Sequence, residues 1–305
     1  MRWVARCIVV LLAVSVQVVL ADRAPPLSWQ MDELKPRSVT SVIEVKGIDA
    51  SASRQRDTQE FKPGTPLLFA EARSAMVDVL ARADRVLVDG FWIARLAIQA
   101  PGATDLNLHF ARVVLPPRAM LHIYDAEMAV FQGPLIPPRR QPKAAQALWT
   151  PVIPGESGLI EISWPASSDL PVVELAEIWV GYRDLFGTRG GPFLNAKAGT
   201  CNNDVVCIEG DPWRDEIRSV ARYSVNGGLC TGTLVNDSDS SLTPYFLTAY
   251  HCGVSEATVA GMVFYWNYES PVCGQLGGGS LTQNQTGAIF RARRQDVDMA
   301  LVELA

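Results

Sequence analysis

Apolar residues in the first two thirds of the chain either alternate with polar ones or form short continuous runs, and both patterns are typical of β-strands. Such runs, separated by Pro and Gly residues, occur at residues 91–98, 106–113, 119–124, 159–164 and 172–180. Only residues 67–83 contain enough Ala, Glu and Arg to favour a helix. We therefore predict a small antiparallel β-sandwich in this part of the chain.

The last third of the chain carries a second series of short apolar runs. We predict about six strands, at residues 217–225, 229–235, 245–249, 263–268, 289–293 and directly after Asp298. Asn226-Gly227-Gly228 is typical of a tight turn that joins the first two strands into a hairpin. This number of short strands favours one small closed barrel, so the predicted fold class is all-β throughout.

Cysteine usage marks the predicted domain boundary. Residues 22–197 contain no cysteine, whereas five follow between residues 201 and 273. Residues 187–192 have the Gly and Pro content of an exposed linker. We predict a β-rich module at residues 22–197 and a second module at residues 198–305.

The first 21 residues have the pattern of an export signal. Arg2 and Arg6 precede a nearly unbroken apolar run at residues 7–20, and Ala21 ends a small-residue cleavage pattern. The run is shorter than the roughly 20 residues that span a bilayer, which disfavours a membrane anchor. We predict secretion to the cell exterior or the periplasm, with no membrane contact after cleavage at Ala21.

Several other features have a structural interpretation that we prefer to a functional one. The net charge of -5 and the lack of long Lys/Arg runs disfavour nucleic-acid binding, and no pattern indicates a cofactor. His109 and His122 lie among apolar strand residues, and we predict that both face outward from their strands. Trp149, Trp164 and Trp179 could line a sugar-binding face, but packing in a core or at an edge is the commoner use of such residues.

The strongest chemical signal is the run Y-F-L-T-A-Y-H-C at residues 245–252. It predicts a buried strand that ends at His251, next to a cysteine. C-T-G-T-L-V at residues 230–235 predicts a neighbouring strand, and D-M-A-L-V-E-L at residues 298–304 places a carboxylate before another. An imidazole exchanges protons near neutral pH, and a buried carboxylate at Asp298 would hold its tautomer. The pattern indicates a general base, and the alternative is a core histidine beside a disulfide.

These three segments, in this order, resemble those of the chymotrypsin-like (trypsin-like) serine peptidases, most closely the bacterial lysyl endopeptidase family. C-N-N-D-V-V-C at residues 201–207 is similar to the mature N-terminus of that family, and Y-W-N-Y at residues 265–268 to its aromatic strand. The resemblance implies the first barrel of a two-barrel fold. It also implies that His251 is the general base and that Asp298 orients it.

Asp296 lies beside this motif and Tyr250 lies within it. Asp296 is the alternative to Asp298, but the family pattern D-x-x-L-x-E-L aligns on Asp298. The family has a histidine where Tyr250 stands, a departure that leaves His251 itself unchanged.

Ser157 lies in a Gly-Glu-Ser-Gly segment similar to the surroundings of a serine nucleophile. In this class of enzyme the serine follows the histidine in the chain, so we predict a hairpin loop at Ser157.

An odd number of cysteines is unexpected in an exported protein, whose cysteines are normally paired. The resemblance implies bridges from Cys230 to Cys252 and from Cys207 to Cys273. Cys201 would then lack a partner, and we expect that partner beyond residue 305. A zinc site at the histidine is disfavoured because no second Cys or His pair at ligand spacing accompanies it.

The implied function is that of a secreted serine endopeptidase precursor, a zymogen that cuts protein or peptide substrates after lysine with a Ser-His-Asp triad. We expect the serine beyond residue 305, in a second barrel absent from this sequence, so that residues 1–305 alone are inactive. Residues 22–197 would be a propeptide that assists folding and covers the site, and Lys197 would be a self-processing site. The alternative is a secreted, non-catalytic, protease-like binding or adhesion protein.

Overall fold

The computed structural model describes residues 24–31, 34, 39–60, 62, 64–138, 146–184, 203–274 and 278–305. The predicted cleavage site at Ala21, the predicted processing site at Lys197, and Cys201 lie outside the described residues.

Short strands make up most of the regular secondary structure among the described residues, which also include three α-helices. The helices are α1 (Ala50–Gln59), α2 (Val79–Arg82) and α3 (Arg214–Arg218). The strands are β1 (Val42–Glu44), β2 (Leu67–Leu68), β3 (Ala70–Asp78), β4 (Asp84–Val88), β5 (Phe91–Gln99), β6 (Asp105–Val114), β7 (Met120–Asp125), β8 (Phe131–Gln132), β9 (Leu148–Trp149), β10 (Ile153–Pro154), β11 (Ser157–Pro165), β12 (Val172–Gly181), β13 (Val220–Val225), β14 (Gly228–Val235), β15 (Tyr245–Thr248), β16 (Val263–Trp266), β17 (Asn284–Thr286), β18 (Ala288–Arg294) and β19 (Met299–Leu304). No helix in these ranges is long and apolar enough to cross a membrane.

Two packed sheets form the first part of the structure. A six-stranded sheet has the order β1-β5-β11-β7-β8, with β4 also on β5, and a five-stranded sheet has the order β10-β6-β12-β3, with β9 also on β6. Their facing sides share one core, which includes Leu96, Phe110, Ile123, Ile160 and Ile178. The five strands predicted in this region are all present, as β5, β6, β7, β11 and β12.

The helix predicted at residues 67–83 is wrong. Most of that segment is β3, along which exposure alternates with a period of two residues, and it pairs with β12. Pairing along the edge of a sheet outweighs the helix propensity of Ala, Glu and Arg in this segment. Only the short helix α2 follows, capped by the Asp78 side chain. The sequence analysis missed helix α1, whose N-terminus is capped by Asp49.

Two single-residue predictions in the sandwich also differ from the structure. His122 faces outward from its sheet as expected, but residues 24–31 cover that side of the sheet and bury it fully. The hairpin loop predicted at Ser157 is not present. The chain crosses there from the five-stranded sheet, where β10 pairs with β6, to the six-stranded sheet, where β11 pairs with β5 and β7. His109 is partly exposed and stacks on Trp149.

The barrel predicted in the last third of the chain is present, and a bent strand closes it. Its strands follow the order β17-β16-β13-β14-β15-β19-β18. Only Gly287, with a φ of 87°, separates β17 from β18. Its N–H donates to the Met262 carbonyl at 2.8 Å, and its carbonyl accepts from the Ala305 N–H at 3.2 Å. The bent pair β17/β18 thus bonds β16 on one side and β19 on the other, which completes a ring of six strands.

The first strand of the barrel begins later than expected. Residues 214–218 form α3, so the strand predicted from residue 217 starts at β13. Asn226 and Gly227 both have positive φ values, 48° and 69°, and form the tight turn predicted between β13 and β14.

The sandwich contacts the barrel through one short strand and an apolar patch. β2 pairs antiparallel with the start of β14, and the Phe69 N–H donates to the Gly227 carbonyl at 2.7 Å. Phe69 and Val152 are buried against Tyr265, whose hydroxyl accepts from the Val152 N–H at 3.1 Å. Trp149 and Trp179 pack at the same patch, while Trp164 is buried in the sandwich, so all three tryptophans make packing contacts.

Candidate active site

The end of β15 positions His251. After Thr248 the chain enters a single 3₁₀ turn, Tyr250–Cys252, and Gly253 ends that turn with a φ of 78°. β15 lies between β14 and β19, so its end is adjacent to the residues that precede β19. Asp298 occupies that preceding position, in a left-handed conformation with a φ of 49°. An aspartate tolerates this conformation better than most residues do.

Asp298 holds His251 by two hydrogen bonds. The backbone N–H of His251 donates to Oδ1 at 2.9 Å, and its ring Nδ1 lies 2.7 Å from Oδ2. Together they fix both the backbone and the ring plane of the histidine relative to the carboxylate. The pKa of Asp298 lies below its ordinary value, first because of the backbone N–H of His251 and then because of its side chain.

The pair is more exposed than the sequence analysis expected. Asp298 was expected to be buried, but 52% of its side chain is exposed, as is 36% of His251. Both residues lie where strands end, at the rim of the barrel, and the core packs inside the ring instead. Solvent therefore reaches both members of the pair.

The structure distinguishes Asp298 from its alternative. The Asp296 carboxylate pairs with Arg294, with Nη2 and Oδ2 2.5 Å apart and a second bond from Nε at 2.9 Å. It is thus turned toward β18, and Asp298 is the carboxylate that bonds His251.

Two disulfides fasten the barrel. Cys230 bonds Cys252 across 22 residues, and Cys207 bonds Cys273 across 66 residues. The first joins the start of β14 to the residue directly after His251. The sulfur atoms of Cys230 and Cys252 lie within 4.8 Å of a His251 ring nitrogen, but they are bonded to each other and offer no thiolate to a metal.

Both modules match known protein-family models. Residues 43–177 match the model of the lysyl endopeptidase N-terminal domain, and residues 195–305 match that of the lysyl endopeptidase C-terminal domain. The chain belongs to the lysyl endopeptidase family. One relative, the lysyl endopeptidase of Pseudomonas aeruginosa, is 28% identical over 275 residues. That alignment covers 80% of this chain and 56% of the relative, so the chain spans about half the length of the curated relative it matches.

Family membership and the two disulfides together indicate an exported protein. The predicted signal peptide would account for export, but it lies outside the described residues.

A buried hydrogen-bond network, which no local sequence pattern indicated, lies beneath His251. Thr248, three residues before His251, donates its hydroxyl hydrogen to the Thr231 carbonyl at 3.0 Å. The Tyr223 hydroxyl lies 2.8 Å from Thr248 Oγ1 and must donate to it, because the only hydrogen on Oγ1 is already used. Burial raises the pKa of Tyr223, so the tyrosine keeps its proton. The network ties β13, β14 and β15 together at the site.

Tyr250, directly before His251, contacts a cation. The Arg293 guanidinium lies 5.4 Å from the centre of the Tyr250 ring, within range of a cation–π interaction. This contact joins the turn that carries His251 to β18, on the far side of β19.

Proposed function

We propose that the protein is the precursor of a secreted serine endopeptidase, in which His251 is the general base and Asp298 orients it. The proposal rests on the two hydrogen bonds that the Asp298 carboxylate accepts from His251, one from its backbone N–H and one from its ring Nδ1. Because a carboxylate accepts hydrogen bonds, the hydrogen of a neutral imidazole lies on Nδ1. Nε2 then has the free lone pair, which takes the proton of an attacking hydroxyl and returns it to the leaving amine.

We propose that the serine lies beyond residue 305. Within the part of the chain that the structure describes, no serine hydroxyl forms a hydrogen bond with His251. Ser157 is the first residue of β11 in the sandwich and precedes His251 in the chain. The relative from P. aeruginosa is longer than the matched region, which leaves room for a second barrel. Residues 1–305 alone would then be inactive.

The substrate class follows from the family. We propose protein and peptide substrates that are cut after lysine, because the curated relative is named for lysyl cleavage. The same preference would let the enzyme cut its own precursor after Lys197, close to the start of the region that matches the C-terminal domain.

The first module has the contacts expected of a propeptide. It adds β2 as an extra strand to the edge of β14 at Gly228 and Leu229, and it buries Phe69 beside that edge. The added strand pairs up to the residue before Cys230, whose sulfur lies within 4.8 Å of the His251 ring. We propose that this added strand templates the barrel edge during folding and restricts access to His251 from that side.

The first experiment is to read the gene beyond the codon for Ala305. We expect an open frame that encodes a Gly-x-Ser-Gly segment and a cysteine for Cys201. The full-length protein should then cleave lysyl peptide amides in preference to arginyl ones, and its mature N-terminus should be Ala198. A stop codon directly after Ala305 would contradict the proposal and favour a non-catalytic binding or adhesion protein.

Two carboxylate variants of the full-length enzyme test the assigned roles. Asp298→Asn should lower kcat by about 10⁴-fold, because an amide at this position favours the wrong histidine tautomer. Asp296→Asn is the matched control and should leave kcat nearly unchanged, because that carboxylate bonds Arg294. Equal losses in the two variants would contradict the assignment.

A further inference from the structure

The outer face of the six-stranded sheet carries a buried polar cluster. Glu161 in β11 lies in register with Arg95 of β5 on one side and with His122 of β7 on the other. Tyr124, two residues after His122, is on the same face. These four side chains are at most 4% exposed, although they lie on the side of the sheet that faces away from the sandwich core.

Residues 24–31, here called the N-terminal strap, cover this cluster. The Ser28 N–H donates to Glu161 Oε1 at 3.0 Å, and the Ser28 hydroxyl donates to Oε2. The Tyr124 hydroxyl also donates to Oε2, at 3.0 Å. Trp29 packs edge-on against Tyr124 and Phe131, with ring centres 5.5 and 5.3 Å apart. Just beyond the strap, the Leu34 carbonyl accepts a hydrogen bond from Arg95.

His122 donates to the strap from one ring nitrogen and leaves its other ring nitrogen unpaired among the described residues. Its Nε2 lies 2.9 Å from the Ala24 carbonyl, and because a carbonyl can only accept, Nε2 carries the hydrogen of the neutral ring. Nδ1 is then the bare nitrogen, and in the described part of the chain it has no hydrogen-bond partner. The ring packs directly against Gly133, where a side chain would not fit, because a Cβ at that position would lie 2.4 Å from His122 Cδ2.

We propose that the N-terminal strap is an acid-sensitive closure, docked while His122 is neutral and released when His122 takes up a second proton. Protonation at Nδ1 places a charge and an unpaired donor in a buried site, at a cost that release of the strap removes by admitting water. Glu161 lies in register beside His122 and favours the imidazolium, whereas Arg95 lies in register on the other side of Glu161. This closure involves neither His251 nor Asp298, so it stands independently of the proposed catalysis.

The direction of the pH dependence follows from burial. Burial is the largest influence and lowers the pKa of His122, while the Ala24 carbonyl and Glu161 partly offset it. Above the ordinary histidine pKa of about 6.5, neutral His122 stabilises the closed state fully. This stabilisation is lost as the pH falls from about 6.5 through the lowered pKa that His122 has in the closed state. Each unit of lowering shifts the closed-to-open ratio about tenfold.

Hydroxyl-radical footprinting of the 305-residue chain between pH 8 and pH 4 tests the closure. We expect labelling of Trp29 and Met31 to rise several-fold as the pH falls below about 6.5, while labelling of β12 stays constant. His122→Gln keeps a neutral N–H donor for the Ala24 carbonyl and should abolish the rise. His109→Gln is the matched control, since His109 lies in the other sheet, and it should retain the rise. A flat wild-type profile, or a rise that persists in His122→Gln, would overturn the proposal.

If His122→Gln does not fold, a second measurement tests whether protonation of His122 is coupled to release of the strap. The chain has only three histidines, so ¹⁵N-histidine spectra resolve each ring. We expect His122 to be the Nε2–H tautomer at pH 8 and to become protonated together with the increase in strap labelling. A His122 that becomes protonated while the strap stays protected would refute the coupling.

Discussion

Removal of the Cys230–Cys252 bridge should loosen the barrel and uncouple His251 from Asp298. The bridge closes a 22-residue separation, which corresponds to about 3.4 kcal/mol of stabilisation on the loop-entropy model. Cys252 is also buried in the barrel core, so its replacement by alanine adds a small packing loss. We expect Cys230→Ala/Cys252→Ala to lower the free energy of opening of β14 and β15 by about 3 kcal/mol.

The Cys207–Cys273 bridge is the matched control. It closes 66 residues and should be worth about 4.3 kcal/mol on the same model, but it fastens the loop after β16 rather than the histidine turn. Hydrogen exchange followed by mass spectrometry gives the opening free energies, and ¹⁵N-histidine spectra give the His251 tautomer. Both double variants should open more easily, but only the first should lose the Nδ1–H form of His251. A loss of stability below about 1 kcal/mol, or the same His251 spectrum in both variants, would refute the reasoning.

Three further predictions concern the site and the contact between the two modules. His251→Ala should raise the pKa of Asp298 toward its ordinary value, measured by carboxyl ¹³C NMR, because one of its two donors is lost; no rise would contradict the pairing. Phe69→Ala should speed hydrogen exchange in the β13–β14 turn, whereas Leu87→Ala, an exposed control on β4, should not; equal effects would contradict the role of β2 as an anchor. Thr248→Val leaves a buried tyrosine hydroxyl unpaired and should cost about 1–3 kcal/mol in urea unfolding, most of which Thr248→Ser should restore; an unchanged midpoint in the valine variant would contradict the network.

The sequence predicted β5, β6, β7, β11 and β12 of the two sheets, because their apolar runs are long and bounded by Pro and Gly, but it did not predict β1, β3 or β4. It failed where a contact distant in sequence decides the outcome. Residues 67–83 have helical composition, yet most of them pair with β12. His122 lies on a face that the local pattern marks as outward, and only the docking of residues 24–31 buries it.

For the candidate site, the motif around His251 was enough to select Asp298, and the hydrogen bonds agree with that choice. The exposure of the pair could not be read from sequence, because it depends on where the strands end relative to the barrel core. Thr248 is part of the same motif, but its partner Tyr223 lies 25 residues away, and no local pattern connects the two.

The closure of the barrel sets an order of events during synthesis and export. β19 pairs with β15 on one side and with β18 on the other, although it is the last strand of the 305 residues to be made. Until residue 304 has been translated and exported, β15 has an unpaired edge and His251 has no carboxylate partner. The histidine and aspartate therefore meet only at the end of this sequence of events, whereas the β-sandwich, complete by Gly181, can fold beforehand.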